Sequence, residues 1–236
     1  MNLRFALALL LACTATARAA DAPLAPFHAD YEVLRNGKEL GHATVDLRAG
    51  ANGEWEFTSA THGTSGMAAM LGLDVDEKST FRWNRSQPQC VHYRYAQKAA
   101  IKSKDLAIDC DWQGKVAKSS AGGKVADVAL DAPAMDRHLV TLALMADLKS
   151  GANDLVYRVV DKDKVSEQRY VSAGSETLTL RGGPIEAMKI VRDRGGDSRR
   201  QTTSWFAPQR GFLPVQIEQV EKSDTITMRL VPTVGR

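Results

Sequence analysis

Residues 40–62 read LGHATVDLRAGANGEWEFTSATH, and this stretch decides the fold class. Ala43, Val45 and Leu47 alternate with Thr44, Asp46 and Arg48; beyond Asn52-Gly53, Trp55 and Phe57 alternate with Glu54, Glu56 and Thr58. A period of two places apolar side chains on one face of a strand and polar ones on the other, and Asn-Gly supplies the positive φ of a tight hairpin turn. The stretch therefore reads as two half-buried antiparallel strands.

The same signature recurs outward from this hairpin. Leu178 and Leu180 oppose Thr177 and Thr179, and Ile226, Met228 and Leu230 oppose Thr225, Thr227 and Arg229. Asn36-Gly37, Gly122-Gly123, Gly182-Gly183-Pro184, Gly195-Gly196 and Ser223-Asp224 mark turns between such runs. Strands are predicted near residues 27–34, 40–48, 54–62, 75–83, 89–97, 103–112, 154–161, 165–173, 175–181, 185–193, 200–207, 213–221 and 225–231. So wide a sheet must curl, split or close, because strand twist accumulates and open edges invite aggregation. One segment departs from the pattern: over Pro133–Lys149, Met135, Leu139, Leu142 and Met145 recur at helical spacing, widened by Val140, Leu144 and Leu148, with Asp131 before and Gly151 after. A shorter helical turn is read over Gly66–Gly72, where Met67-Ala68-Ala69-Met70-Leu71 forms a soft apolar connection. The expected fold is mainly β, a large curved antiparallel sheet or barrel-like β fold with one central α-helix packed on its concave face.

Residues 1–19 read as a secretory signal peptide: Arg4, an apolar run from Phe5 to Ala12, and the small-residue site Ala17-Arg18-Ala19, cut before Ala20. A single β-rich domain is expected over residues 20–236, in the periplasm. The alternative is a lipoprotein anchored at Cys13, on the strength of Leu10-Leu11-Ala12-Cys13. No later stretch has the run of about eighteen apolar residues that a membrane-spanning helix needs. Removing the leader takes two of the 31 basic residues and none of the 28 acidic ones, leaving 29 against 28, so the mild excess of positive charge gives no reason to expect nucleic acid.

Cys90 and Cys110 each lie ten residues from Ala100, so a symmetric hairpin sets them opposite one another. A cross-strand disulfide is sterically allowed there, and two separate buried thiols are the alternative. The histidines at positions 28, 42, 62, 92 and 138 have no metal-ligand spacing, and no metal or cofactor is expected. His62 with Asp74, Asp76 and Glu77 reads as a solvated strand end. Asp109-Cys110-Asp111 and Asp161-Lys162-Asp163 lack the glycine and glutamate of a calcium loop, and Gly63-Thr64-Ser65-Gly66 does not have nucleophile-elbow spacing. Asn84-Arg85-Ser86 fits a glycosylation sequon. Arg192, Arg194, Arg199 and Arg200 could meet phosphate or an anionic lipid surface, but with Asp193 and Asp197 interleaved they read as an exposed hairpin tip.

Trp205-Phe206-Ala207-Pro208, then Gly211-Phe212-Leu213-Pro214-Val215-Gln216-Ile217 and the closing strand Thr225–Leu230, resemble the C-terminal hairpin of the secreted bacterial family called domain of unknown function 3108. Tyr31 followed by Gly37 and Gly41, the Gly66–Leu71 segment, and Tyr93-Arg94-Tyr95 with Asp109–Trp112 are similar to that family's front half. The resemblance implies a cell-envelope protein with no established reaction and no catalytic residues to transfer. A more distant, fold-level similarity is to periplasmic lipoprotein carriers, whose curved sheets hold acyl chains.

Three functions remain open. The first is non-enzymatic binding of an apolar or acylated ligand between sheet and helix, lined by Met67, Met70, Leu71, Leu73, Leu139, Leu142 and Met145 with Trp83 and Trp205 as walls. The second is an envelope assembly or scaffold protein that binds a partner protein through an edge strand or apolar patch. The third is an enzyme with dispersed residues, which would need a cleft holding a histidine and a carboxylate within hydrogen-bond reach.

Overall fold

The computed structural model describes residues 22–66, 72–100, 103–196 and 198–232; the leader lies outside them. Among these residues fifteen strands form one sheet. In chain order they are β1 (Phe27–Arg35), β2 (Lys38–Ala49), β3 (Trp55–Gly63), β4 (Asp74–Asn84), β5 (Gln87–Lys98), β6 (Lys104–Asp111), β7 (Val116–Ala121), β8 (Lys124–Ala129) and β9 (Met135–Asp136). The helix α1 (Val140–Ser150) follows, then β10 (Leu155–Asp161), β11 (Lys164–Leu180), β12 (Gly183–Asp193), β13 (Arg200–Ala207), β14 (Leu213–Glu221) and β15 (Asp224–Leu230). The spatial order is β8-β7-β6-β5-β4-β3-β2-β1-β15-β14-β13-β12-β11-β10-β9. Two up-and-down meanders thus run away from a central seam, at which Tyr31 of β1 lies opposite Leu230 of β15. The outer edges are β8 and β9, and the sheet is not closed.

The curl is filled from inside. One core cluster joins residues from both meanders, among them Leu47, Phe57, Phe81 and Tyr93 on one side and Tyr157, Val159, Ile190 and Phe206 on the other, around the helix. A smaller cluster gathers at the seam around Ala29, Tyr31, Val33, Leu230 and Val215. There the Tyr31 hydroxyl donates to the Pro214 carbonyl at 2.8 Å, tying β1 to β14 past the intervening strand. Gly41 of β2 faces Gly63 of β3, and the backbones approach so closely that a Cβ on Gly41 would sit 1.9 Å from the His62 carbonyl oxygen. Only glycine fits that crossing.

Helix α1 is buried almost all round: Val140, Leu142, Ala143, Leu144, Met145, Ala146, Asp147 and Leu148 are all buried. That is the pattern of a helix enclosed by its sheet and not laid on its surface. Gly151, at φ 77°, terminates it. Its buried carboxylate Asp147 accepts bonds from Gln87 of β5 (2.8 Å) and Tyr157 of β10 (2.9 Å), so one side chain joins the two meanders through the helix.

Several expectations are corrected. The helix starts at Val140, not Pro133. Met135 and Asp136 instead form a short parallel strand against Val159 and Val160, and the Asp136 carboxylate accepts the backbone N–H groups of His138 (3.0 Å) and Leu139 (3.2 Å), which holds those two residues in a turn ahead of the helix. β7 and β8 were not predicted, because VAKSSA and KVADVA carry little large apolar surface. The two strands predicted over 165–173 and 175–181 are one strand, bent at a bulge between Ser172 and Ser175 where Gly174 has φ 87°.

The cysteine hairpin is also asymmetric. His92 pairs with Asp109, so the register is one residue off the symmetric one, but a bulge in β5 at Val91 makes up the difference. The bulge turns Cys90 onto the face of Tyr93, and the two sulfurs approach to 3.0 Å as free thiols.

Candidate functional site

Between the sheet's concave face and α1 lies a cavity of about 720 Å³. One wall is a cross-strand row over β4 to β7, Glu77, Tyr95, Leu106 and Ala121, each opposite the next. The facing wall comes from β11 to β14: Tyr170 opposite Arg192, Thr202 opposite Gln219, and Ser204 opposite Ile217. Val140, Thr141 and Leu144 of α1 complete it.

This cavity is polar. On the first wall, Tyr93 donates to Glu77 at 2.5 Å, and Arg137 reaches both the Tyr93 hydroxyl (2.8 Å) and the Glu77 carboxylate (3.2 Å), with its guanidinium 4.5 Å from the centre of the Tyr95 ring. Burial pushes the Tyr93 phenol well above its ordinary range, so it stays a donor. Behind this group, Ser79 and Asp136 are fully buried and bonded at 2.9 Å, and the Ser79 hydroxyl lies 3.1 Å from Nδ1 of His138. His138 stacks on Phe57 at 4.2 Å between ring centres. Burial pushes His138 down to about 4 and Asp136 up to about 7, so the imidazole is neutral and the carboxyl holds its proton readily. The Oδ2 of Asp136 is buried with no hydrogen-bond partner.

Serine, histidine and aspartate in contact do not make a nucleophile here. The Ser79 hydroxyl donates a hydrogen bond to the Asp136 carboxyl, and no part of Ser79 is accessible to a substrate. The arrangement fixes the turn that leads into the helix.

On the opposite wall Arg192 and Arg194, two residues apart on β12 and the turn beyond it, share a face with Ile190, which is fully buried in the core. Arg200 enters from β13 and lies 3.8 Å from Glu221. Arg194 donates to Thr202 at a long 3.5 Å, and its Nε and that of Arg192 are buried without partners. Burial, and then the charges of Arg192 and Arg200, hold the Arg194 guanidinium below its ordinary range. Asp193, on the alternate face, accepts the Gly195 N–H at 3.0 Å instead of neutralising the arginines. Of the arginines expected at an exposed tip, Arg192 and Arg194 are half-buried against the cavity, Arg200 is exposed at its border, and Arg199 is exposed and does not line it; Asp197 lies outside the described residues.

A second hollow of about 770 Å³ opens at the end of the sheet bearing the Asn36-Gly37 and Lys222-Ser223 turns. It is mainly apolar, with Leu40, Leu73 and Ile226 in its wall, and Gln219 borders both hollows.

Of the residues expected to line a ligand site, Leu73 lies in this second hollow. Leu139, Leu142 and Met145 are core residues, at most 3% exposed, and border neither hollow. They face the sheet interior, which the neighbouring side chains fill. Trp83 packs against Phe81 and Trp55. Trp205 belongs to the seam cluster, donates to Glu176 and has the Lys189 ammonium 5.3 Å from its ring. Met67, Met70 and Leu71 lie outside the described residues. Glu77, expected in water beside His62, instead faces the cavity, while His62 pairs with Asp74 at 2.8 Å outside it. Among the described residues no group of three or more His, Cys, Asp or Glu could hold a metal, and no helix is long and apolar enough to cross a membrane.

The family described as "Protein of unknown function (DUF3108)" matches residues 27–231, from the start of β1 to just past the end of β15. The crystal structure of a beta-barrel-like protein of domain of unknown function DUF1849 from Brucella abortus is similar, with a TM-score of 0.55 at 10% identity, covering 88% of this chain and 96% of that one. At that identity the likeness concerns the fold. No curated protein matches the sequence.

Proposed function

We propose, on the premise that the chain belongs to the DUF3108 family, that it is a non-enzymatic binding protein of the bacterial periplasm whose ligand is an acylated amphiphile held inside the curled sheet. The observation that carries this reading is the pair of hollows of about 720 and 770 Å³, one polar beside α1 and one mainly apolar at the turn end, both bordered by Gln219. Volumes of this order match sites for molecules of lipid or cofactor size. The polar half departs from the wholly apolar lining read from the sequence and adds a headgroup to the ligand.

The periplasmic location is supported by the leader-like residues 1–19 and by a cysteine pair poised for oxidation. The absence of an enzymatic step is supported by the complete burial of the Ser79–Asp136 pair. Native mass spectrometry on the mature protein purified from its own periplasm, followed by lipid extraction, tests the reading. A stoichiometric acylated species is expected, and an apo mass with no recovered lipid overturns it.

A second reading, docking of a partner protein, is favoured by the outer edge of β8, which pairs with no further strand among the described residues and exposes Val125 at 73%. If the lipid test fails, crosslinking through a cysteine placed at Val125 tests this alternative.

A further inference from the structure

The geometry points to a phosphoryl-binding subsite at the Arg192–Arg194–Arg200 end of the polar cavity. The inference rests on the amphiphile reading of that cavity and specifies its headgroup.

The three arginines converge from β12, the turn beyond it and β13 onto one side of the cavity. Arg192 and Arg194 are half-buried beside the exposed Arg200, and like charges brought together where water is partly excluded repel, a cost that an anion offsets. The chain's own carboxylates do so incompletely. Of the three, Arg200 has an ion pair, with Glu221 at 3.8 Å, while Arg192 and Arg194 have none among the described residues and each buries an Nε without an acceptor. On the far wall Glu77 is already engaged by Arg137 and Tyr93. Arg192 and Arg194 therefore border the cavity with no carboxylate of the described residues paired to them.

The donor set selects the anion. A carboxylate offers two oxygens in one plane and is satisfied by a single guanidinium fork, whereas a phosphoryl group presents three oxygens and up to two charges to several forks at once. The hydroxyl of Thr202 and the amide of Gln219 border the same space and supply neutral partners for the remaining lone pairs. Gln219 also borders the mainly apolar hollow at the turn end, which gives a chain attached to the phosphoryl group a direction to follow.

Dodecyl phosphate, inorganic phosphate and neutral dodecyl maltoside, titrated calorimetrically into the mature protein, separate headgroup from chain. Dodecyl phosphate is expected to bind more tightly than either of the others. Arg192→Gln and Arg194→Gln are each expected to weaken it about tenfold, the effect of losing one charge-assisted hydrogen bond, while leaving dodecyl maltoside unchanged. Circular dichroism of each variant confirms that the sheet is intact.

If dodecyl phosphate and dodecyl maltoside bind equally and neither variant matters, the phosphoryl subsite is refuted and the amphiphile reading stands. If inorganic phosphate binds as tightly as dodecyl phosphate and the arginine variants abolish both, the subsite stands for a free phosphate and the amphiphile reading falls. Binding of none of the three refutes both.

Discussion

Replacing His138 with glutamine should expose a proton transfer that the wild-type protein conceals. In the unfolded chain at about pH 5, His138 is protonated and Asp136 is ionised; in the native protein burial reverses both, leaving a neutral imidazole, pushed down to about 4, and a carboxylic acid, pushed up to about 7. The two states therefore hold the same number of protons on this pair between about pH 4 and about pH 6.5, and by linkage the pair adds no pH dependence to stability. Taken singly the groups are far from silent. A carboxyl with a raised native pKa stabilises the fold at acid pH and loses that contribution as pH rises to about 7; from its ordinary 3.8 the span is about 4 kcal/mol. A histidine with a depressed native pKa stabilises at neutral pH and loses that contribution as pH falls from 6.5 to about 4, a span of about 3 kcal/mol. His138→Gln should therefore gain on the wild type by about 3 kcal/mol between about pH 7 and about pH 4, whatever its offset at neutral pH, and Asp136→Asn should lose about 4 kcal/mol over the same interval. Urea unfolding followed by tryptophan fluorescence at a series of pH values gives both curves. Two variants whose stability runs parallel to wild type across that interval would refute the reasoning, since neither group could then have the shifted pKa on which it rests.

Other consequences are simpler to test. Oxidation should join Cys90 and Cys110, seen as the loss of two titratable thiols, and stabilise the protein by about 3 kcal/mol over its reduced form for a loop of this size, while Cys110→Ser should remove the difference between the two forms. Leu142→Ala should cost about 2–5 kcal/mol in urea unfolding without changing amphiphile affinity, as expected of a core residue that lines no hollow. Gly41→Ala should destabilise by about 3 kcal/mol or more, because the new Cβ meets the His62 backbone and not a side chain that can move aside; a neutral result would mean that β2 and β3 are not so closely apposed.

The strands were legible wherever large apolar residues alternated with polar ones, as in Ala43–Arg48 or Thr225–Leu230, because that alternation is itself the pleat seen from the side. It was not legible in β7 and β8, whose inward residues are chiefly small: Ala117 and Ser119 are buried like core leucines, at 0% and 2% exposure. The helix was seen, but its start was not, since a short parallel strand and a capping carboxylate have no periodicity. The polar cavity was missed for a related reason. Glu77 lies two residues from buried Ser79, and Arg192 two residues beyond buried Ile190, so strict period-two counting already places both on the inner face. A charged residue near a strand end reads by default as solvated, and only the curl of a wide sheet, which comes from strands far apart in sequence, turns that end into a cavity wall.

The seam between β1 and β15 joins the first strand of the sheet in chain order to the last. Each meander can zip by local hairpins as it emerges, but the free flank of β1, with Ala29, Tyr31 and Val33 on one side, has to wait for nearly the whole chain before its partner exists. Until then the nascent protein carries an unpaired apolar edge, the feature most prone to recruit a stray strand. A chain truncated before Asp224 would keep that edge permanently, so loss of the last strand alone should produce aggregation in place of a slightly smaller native protein. In the finished molecule, in contrast, the first and last strands lie side by side, with the Val231 N–H bonded to the Asp30 carbonyl at 2.8 Å. Its natural break lies halfway along the sequence, between β8 and β9, where a chain re-spliced end to end could begin and finish without cutting a single pair of strands.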